Sequence, residues 1–248
     1  MTDAEARARA DRFWRCAGVC ETFPRSLERA VLWAVPLAVM KLPRLGLSEL
    51  RTWLRHRGQS VSLDGPDRPL RACLIARNGR GIVVLDGTDT EDERRLSLAH
   101  ELAHFLLDYL EPRERAVSAL GPTALEILDG IRPPSIQERV AGVLKGVTVN
   151  VHLHILERSV TGDVNRLNVL DAEDRADRLA LELLAPRDVV LQQLSEMGVQ
   201  WSAHAAVDKA AAVLTNRFGL PAAVADNYGR FLVSSRRAHT TFRDWLGC

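Results

Sequence analysis

The sequence predicts an α+β protein in which a small β-sheet precedes two helices that carry chemistry, with more helices before and after. Three observations predict it. The apolar spacing changes from helical to strand-like near residue 58, and two short apolar runs follow on either side of Arg77-Asn78-Gly79-Arg80. The stretch "RRLSLAHELAHFLLDYL" then reads as a helix that is apolar nearly all round. Much later, "AEDRADRLALELLAP" reads as an amphipathic helix that also bears acids. The 248 residues suffice for one substantial core, and 46% hydrophobic with 26% charged residues is ordinary for a globular chain.

Taken in order, residues 3–58 read as an N-terminal helical segment (1–58) broken at Pro36 and Pro43. Ser48 is the expected N-cap of a short helix ending at Gly58. Leu70–Ala76 and Gly81–Asp86 are two strands, and Asn78-Gly79 suits the positive φ of a tight hairpin turn. Thr90-Glu91-Asp92-Glu93 is a capping box, and its three acids favour a helix N-terminus. That helix is expected to run from about 91 to 110. Gly121-Pro122 and Pro133-Pro134 mark loops in an inserted subdomain, 111–170. Within it Val147–Leu156 alternates like a strand, with His152 and His154 on one face. A helix spans about 172–185, stopped by Pro186, and 191–248 is a C-terminal helical segment.

Composition removes some classes of function. A net charge of +1 gives no basic field, so direct nucleic-acid binding is not expected. The longest apolar stretch, Ala30–Met40, is too short to cross a bilayer and contains Pro36. The N-terminus "MTDAEARARADRFWRC" is charged and lacks the apolar centre of a signal peptide. The expectation is a cytoplasmic protein with no membrane partner. Cys16 and Cys20 stand as C-x3-C without a second pair, and they, Cys73 and Cys248 read as small hydrophobes.

The chemistry begins with H-E-x-x-H, His100, Glu101 and His104. Positions i and i+4 share a helix face, so both imidazoles can reach one metal ion. Glu101, one residue on, can take a proton from a water whose pKa zinc lowers to about 7, and can return it to a leaving amine. Positions 107 and 110 are leucines, so a third histidine on this helix is excluded. On a helical wheel of 172–185, Glu173 falls inside the apolar stripe of Ala176, Leu179, Ala180, Leu183 and Leu184, and Asp177 at its edge. A carboxylate on a buried face needs a partner. Glu173 is therefore the expected third ligand to one Zn²⁺ per chain, and Asp177 the acceptor for a ligand histidine's second N–H. Asp108, His152 and His154 are weaker competitors for the metal. Candidates for an oxyanion or substrate contact are Tyr109, His152, His154, His204 and Tyr228.

"ERRLSLAHELAHFLL" together with "EDRADRLALELLAP" resembles the ImmA/IrrE-type metallo-endopeptidases over about residues 45–190. In that family the second helix has the form E-x-x-x-N-x-F-A-x-x-L-L-x-P. Glu173 matches its glutamate, while Asp177 and Leu179 stand where asparagine and phenylalanine are usual. The resemblance implies a zincin-like (gluzincin) core at 59–190 and a bacterial or mobile-element origin. It implies cleavage of a protein partner, a helix-turn-helix repressor encoded nearby. The 68 residues from Phe105 to Ala172 make the spacing between motifs long, and no N-terminal helix-turn-helix is identified. Two other functions use the same features. One is a transcriptional regulator contacting DNA through its N-terminal helices, with the basic "RTWLRHRG". The other is a zinc amidohydrolase acting on a small substrate.

Overall fold

The structure is a computed structural model that describes residues 1–18, 22–58, 63, 65–138, 152–157, 167–201 and 205–238. For 152–157, 167–170 and 237–238 only the backbone is described. Its centre is a four-stranded mixed sheet of order β1-β3-β2-β4. Strands β2 (Leu70–Arg77) and β3 (Arg80–Asp86) form the hairpin. Asn78 and Gly79 turn it with φ of 53° and 76°, the double positive φ that a two-residue turn requires.

The edge strand β1 (Leu37–Leu42) corrects the helical reading of 3–58. Helix α1 (Asp3–Ala17) and helix α2 (Leu27–Ala34) are present, but the chain after Pro36 extends and pairs parallel to β3, Leu37 opposite Gly81. A short apolar run fits either period, and here the unpaired edge of β3 decides. Helix α3 (Leu47–His56) begins one residue before Ser48, with Gly46 as N-cap. Asp67 supplies the cap from outside, accepting the Ser48 amide at 2.9 Å. On the other edge, β4 (His152–Glu157) pairs antiparallel with β2.

The two sheet faces carry different layers. Cys73, Val84 and Leu70 meet Leu47, Leu50 and Leu54 of α3 in a small core. Ala72, Leu74, Ala76, Val83 and Leu85 join the main core with α4 (Glu91–His104). Gly81 sits where the end of this helix crosses the sheet. A Cβ there would lie 2.8 Å from the Phe105 ring and 2.6 Å from Leu37, so only glycine permits the approach.

The capping box forms as expected, with Glu93 accepting the Thr90 amide at 3.1 Å. The helix does not stop at 110. It passes through a π-helical turn, Phe105–Leu110, straight into α5 (Glu111–Leu120). Pro112 is tolerated because it falls in the first turn of α5, beside that π turn. Short α6 (Ala124–Leu128) follows.

Helix α7 runs from Leu167 to Leu184, five residues earlier than the sequence pattern shows. It packs against α4 on one side and α1 on the other. Helices α8 (Arg187–Glu196), α9 (Ala205–Asn216) and α10 (Ala222–Ala238) complete the chain. Among the described residues no helix is long and apolar enough to cross a membrane.

Candidate metal centre

His100, Glu101 and His104 lie on the buried middle of α4, where Leu98, Ala99, Leu102 and Ala103 leave no solvent-facing side. Relative exposures of 5%, 0% and 2% mean that each polar group must be satisfied from within the protein. Helix α7 crosses α4 and presents Glu173. His100 Nε2 and His104 Nε2 are 3.1 Å apart, and the Glu173 carboxylate is 3.2 Å from the first and 3.5 Å from the second. Because α7 starts at Leu167, Glu173 is not in its first turn, and attraction to a helix N-terminus does not explain it.

The donor set fits a metal ion. Four donors about 2.0–2.1 Å from a tetrahedral zinc stand about 3.3–3.4 Å from one another. The three distances here bracket that value, and one donor atom from each residue lies within 4.8 Å of the others. Tautomers point the same way. His100 Nδ1 donates to Asp177 at 2.8 Å and His104 Nδ1 donates to Asp108 at 2.7 Å, since an ionised carboxylate can only accept. Both Nε2 lone pairs therefore face each other and Glu173. Lone pairs converging on one point are stable only around a cation, either a proton or a metal. Burial pushes His100 down, but Asp177, Glu173 and the Glu101 charge outweigh it and raise its pKa to about 9.

Asp108 is the functional side chain that sequence reasoning weighed only as a ligand. It is itself paired with Arg175 of α7 at 3.3 Å. The two ligand-bearing helices are thus joined twice behind the donors, by Asp108–Arg175 and by His100–Asp177. The i, i+4 spacing from His104 to Asp108 was the available signal.

The remaining candidates fall elsewhere. The Tyr109 hydroxyl accepts the Gly79 amide at 2.8 Å, so Tyr109 braces the hairpin turn. Tyr228 lies on α10 and donates to the Ala185 carbonyl at 3.4 Å. These are the partners the structure gives the two tyrosines named as oxyanion or substrate candidates. The side chains of His152 and His154, and all of His204, lie outside the described residues, as do Cys20 and Cys248. Cys16 is exposed, and Cys73 is a buried core residue.

The fold is a mixed α+β protein in which two buried histidines and one half-buried glutamate, on two packed helices, are positioned for a metal ion. Residues 61–127 match the model of the IrrE N-terminal-like domain, the Peptidase_M78 family, which supports the resemblance to the ImmA/IrrE family over that part of the chain. The match takes in β2, β3, α4 and α5 and ends before α7, so the case for Glu173 is geometric. No curated protein and no solved structure matches the chain.

Proposed function

We propose that this protein is a zinc-dependent endopeptidase that hydrolyses a peptide bond in a protein partner, a DNA-binding repressor. The observation that carries the reading is the convergence of two histidine lone pairs and one carboxylate at tetrahedral spacing, with Glu101 adjacent. The family match supports peptidase chemistry. His100, His104 and Glu173 would hold the ion, which when bound would supply Lewis acidity and lower the pKa of water to about 7.

The chain's own groups do the rest. Glu101 sits fully buried beside the two histidines, in a site that excludes bulk solvent. It accepts a proton from the attacking water and delivers it to the leaving amine, which restores its charge. Asp177 and Asp108 hold the two imidazoles in the Nδ1–H tautomer throughout.

The DNA-contacting alternative finds less support in α3. Its apolar side is committed to the sheet, Arg51 donates to the carbonyls of Leu63 and Gly65, and Arg57 stacks over Trp53 at 4.1 Å. The test is to incubate the purified protein with the helix-turn-helix regulator encoded beside it, with and without a chelator. Chelator-sensitive cleavage of an intact regulator is expected. A regulator left whole by zinc-loaded protein, alongside turnover of small amides, would move the function to the amidohydrolase alternative.

A further inference from the structure

Behind the metal centre lies a second cavity, of about 330 Å³, at the small end of the range for ligand pockets. It is built between two helical faces with the same spacing. Helix α7 presents Asp174, Asp177, Arg178 and Leu181, and α10 presents Val224, Asn227, Tyr228 and Phe231. The start of α1 closes it with Asp3 and Ala6. Asp174 is exposed at the rim, whereas Glu182, further along the same side of α7, is only 9% exposed.

The apolar part of the wall is Ala6, Leu181, Val224, Tyr228 and Phe231. The two rings are near-parallel, at 13° with centroids 6.3 Å apart. The charged part does not balance. Its acids are Asp3, Asp174, Asp177 and Glu182, and its cations are Arg178 and Arg187. Both guanidiniums are committed. Arg178 pairs with Asp174 at 3.0 Å and Asp3 at 3.5 Å, and Arg187 pairs with Asp3 and reaches Ser235 at 3.1 Å. Glu182 accepts the Arg187 amide at 3.2 Å. Asp177 differs from these. Its Oδ1 accepts from His100 of the metal centre, and its side chain is 68% exposed. No guanidinium or ammonium of the described residues pairs with it.

We propose that this cavity binds a small amphipathic amine, with the ammonium on the free oxygen of Asp177 and an aromatic or aliphatic body against Val224, Tyr228 and Phe231. An anion of the same shape would be repelled by Asp177 and Glu182, and a neutral analogue would bring no charge to the Asp177 oxygen that His100 does not use. Asp177 is shared with His100, so the ammonium competes for the charge that orients the imidazole. Occupancy of the cavity and of the metal centre are then linked, and the linkage acts equally in both directions. The site is a regulatory input to the metal centre.

The experiment uses full-length protein and 2-phenylethylamine as probe, with 2-phenylethanol and phenylacetate as matched neutral and anionic controls. Calorimetry or ligand-observed NMR is expected to show one saturable site for the amine. Both controls should bind about tenfold more weakly or worse, the loss of one charge-assisted hydrogen bond. Asp177→Asn should weaken the amine by a similar factor, and Val224→Trp, which fills the cavity, should abolish its binding. If Val224→Trp does not fold, Phe231→Ala serves, and there the amine should weaken. A chelator competition should show the metal held with a different affinity when the amine is present. Equal binding of amine and alcohol, or amine binding unchanged in Asp177→Asn, would overturn the proposal. So would an amine that binds without altering metal affinity. None of these readouts depends on peptide cleavage, so they stand or fall apart from the proposed reaction.

Discussion

The two helices that build the metal centre hold their donors by opposite means. On α4 the polar groups are His100, Glu101 and His104, all within 5% exposure and packed in an apolar sleeve. On α7 the Glu173 side chain is one-third exposed and Asp177 two-thirds, and ion pairs fix the helix: Arg175 to Asp108, Arg178 to Asp174 and Asp3. Burial makes the α4 donors rigid and expensive to disturb. Ion pairs make the α7 donors adjustable, since partly exposed pairs are individually weak. One helix would therefore fix where an ion sits, and the other would set how tightly it is held.

The largest effects are expected on α4. His104→Ala removes a donor and leaves Asp108 without its imidazole, so metal analysis should fall from about one zinc per chain to none, with turnover lost. Glu101→Gln separates holding from chemistry. It keeps the shape and both histidines, so the metal should stay while turnover drops about 10²–10⁴-fold. Loss of zinc from Glu101→Gln would show that Glu101 belongs to the donor set, and the division between the helices would need redrawing. Glu173→Ala should lower zinc affinity steeply with the fold intact. Full zinc occupancy in that variant would remove α7 from the centre.

These variants also mark what could be read in advance. The donors on α4 were legible because i, i+4 spacing and an apolar surround are local properties of the sequence. Glu173 was legible one step later, as a carboxylate inside an apolar stripe. Asp108 is a weak candidate as a third ligand, because three ligands on one straight helix track away from a tetrahedral site, whereas its partner is the far side of His104. Strand β1 was hidden because "LAVMKL" fits helix and strand alike, and only pairing with β3 decides. The cavity on the second side of α7 had no signal at all. Asp3 and Tyr228, which help to line it, are distant in sequence, and polar residues facing polar residues leave no apolar stripe.

Intermediate effects sharpen the comparison at the joint between the helices. Asp108→Asn keeps a hydrogen-bond acceptor but loses the charge that supports His104 and pairs with Arg175, so zinc affinity should weaken about 10–100-fold. Arg175→Met breaks the same link from the α7 side and leaves His104–Asp108 in place, so its effect should be the smaller of the two. The double variant should cost less than the two losses multiplied, because both act through one contact. Independent losses would mean that the helices are not coupled there.

The smallest effect is expected at the exposed start of α4, where the helix is held as α7 is. Glu93 accepts the Thr90 amide and hydroxyl and pairs with Arg71 at 3.4 Å. The Thr90 amide, helped by the Thr90 hydroxyl and Arg71, holds the Glu93 carboxyl below its usual range. A carboxyl with a depressed folded pKa contributes stability that is present above its unfolded value, near 4.5, and is lost as pH falls through the folded value. Glu93→Gln should therefore lower the midpoint of thermal unfolding by a few degrees or less at pH 7, with no change in zinc content. The gap to the parent protein should close as the pH is lowered through the acid range. A zinc content that also fell would mean that the cap and the buried donors of α4 act as one unit, against the division drawn between burial and ion pairing.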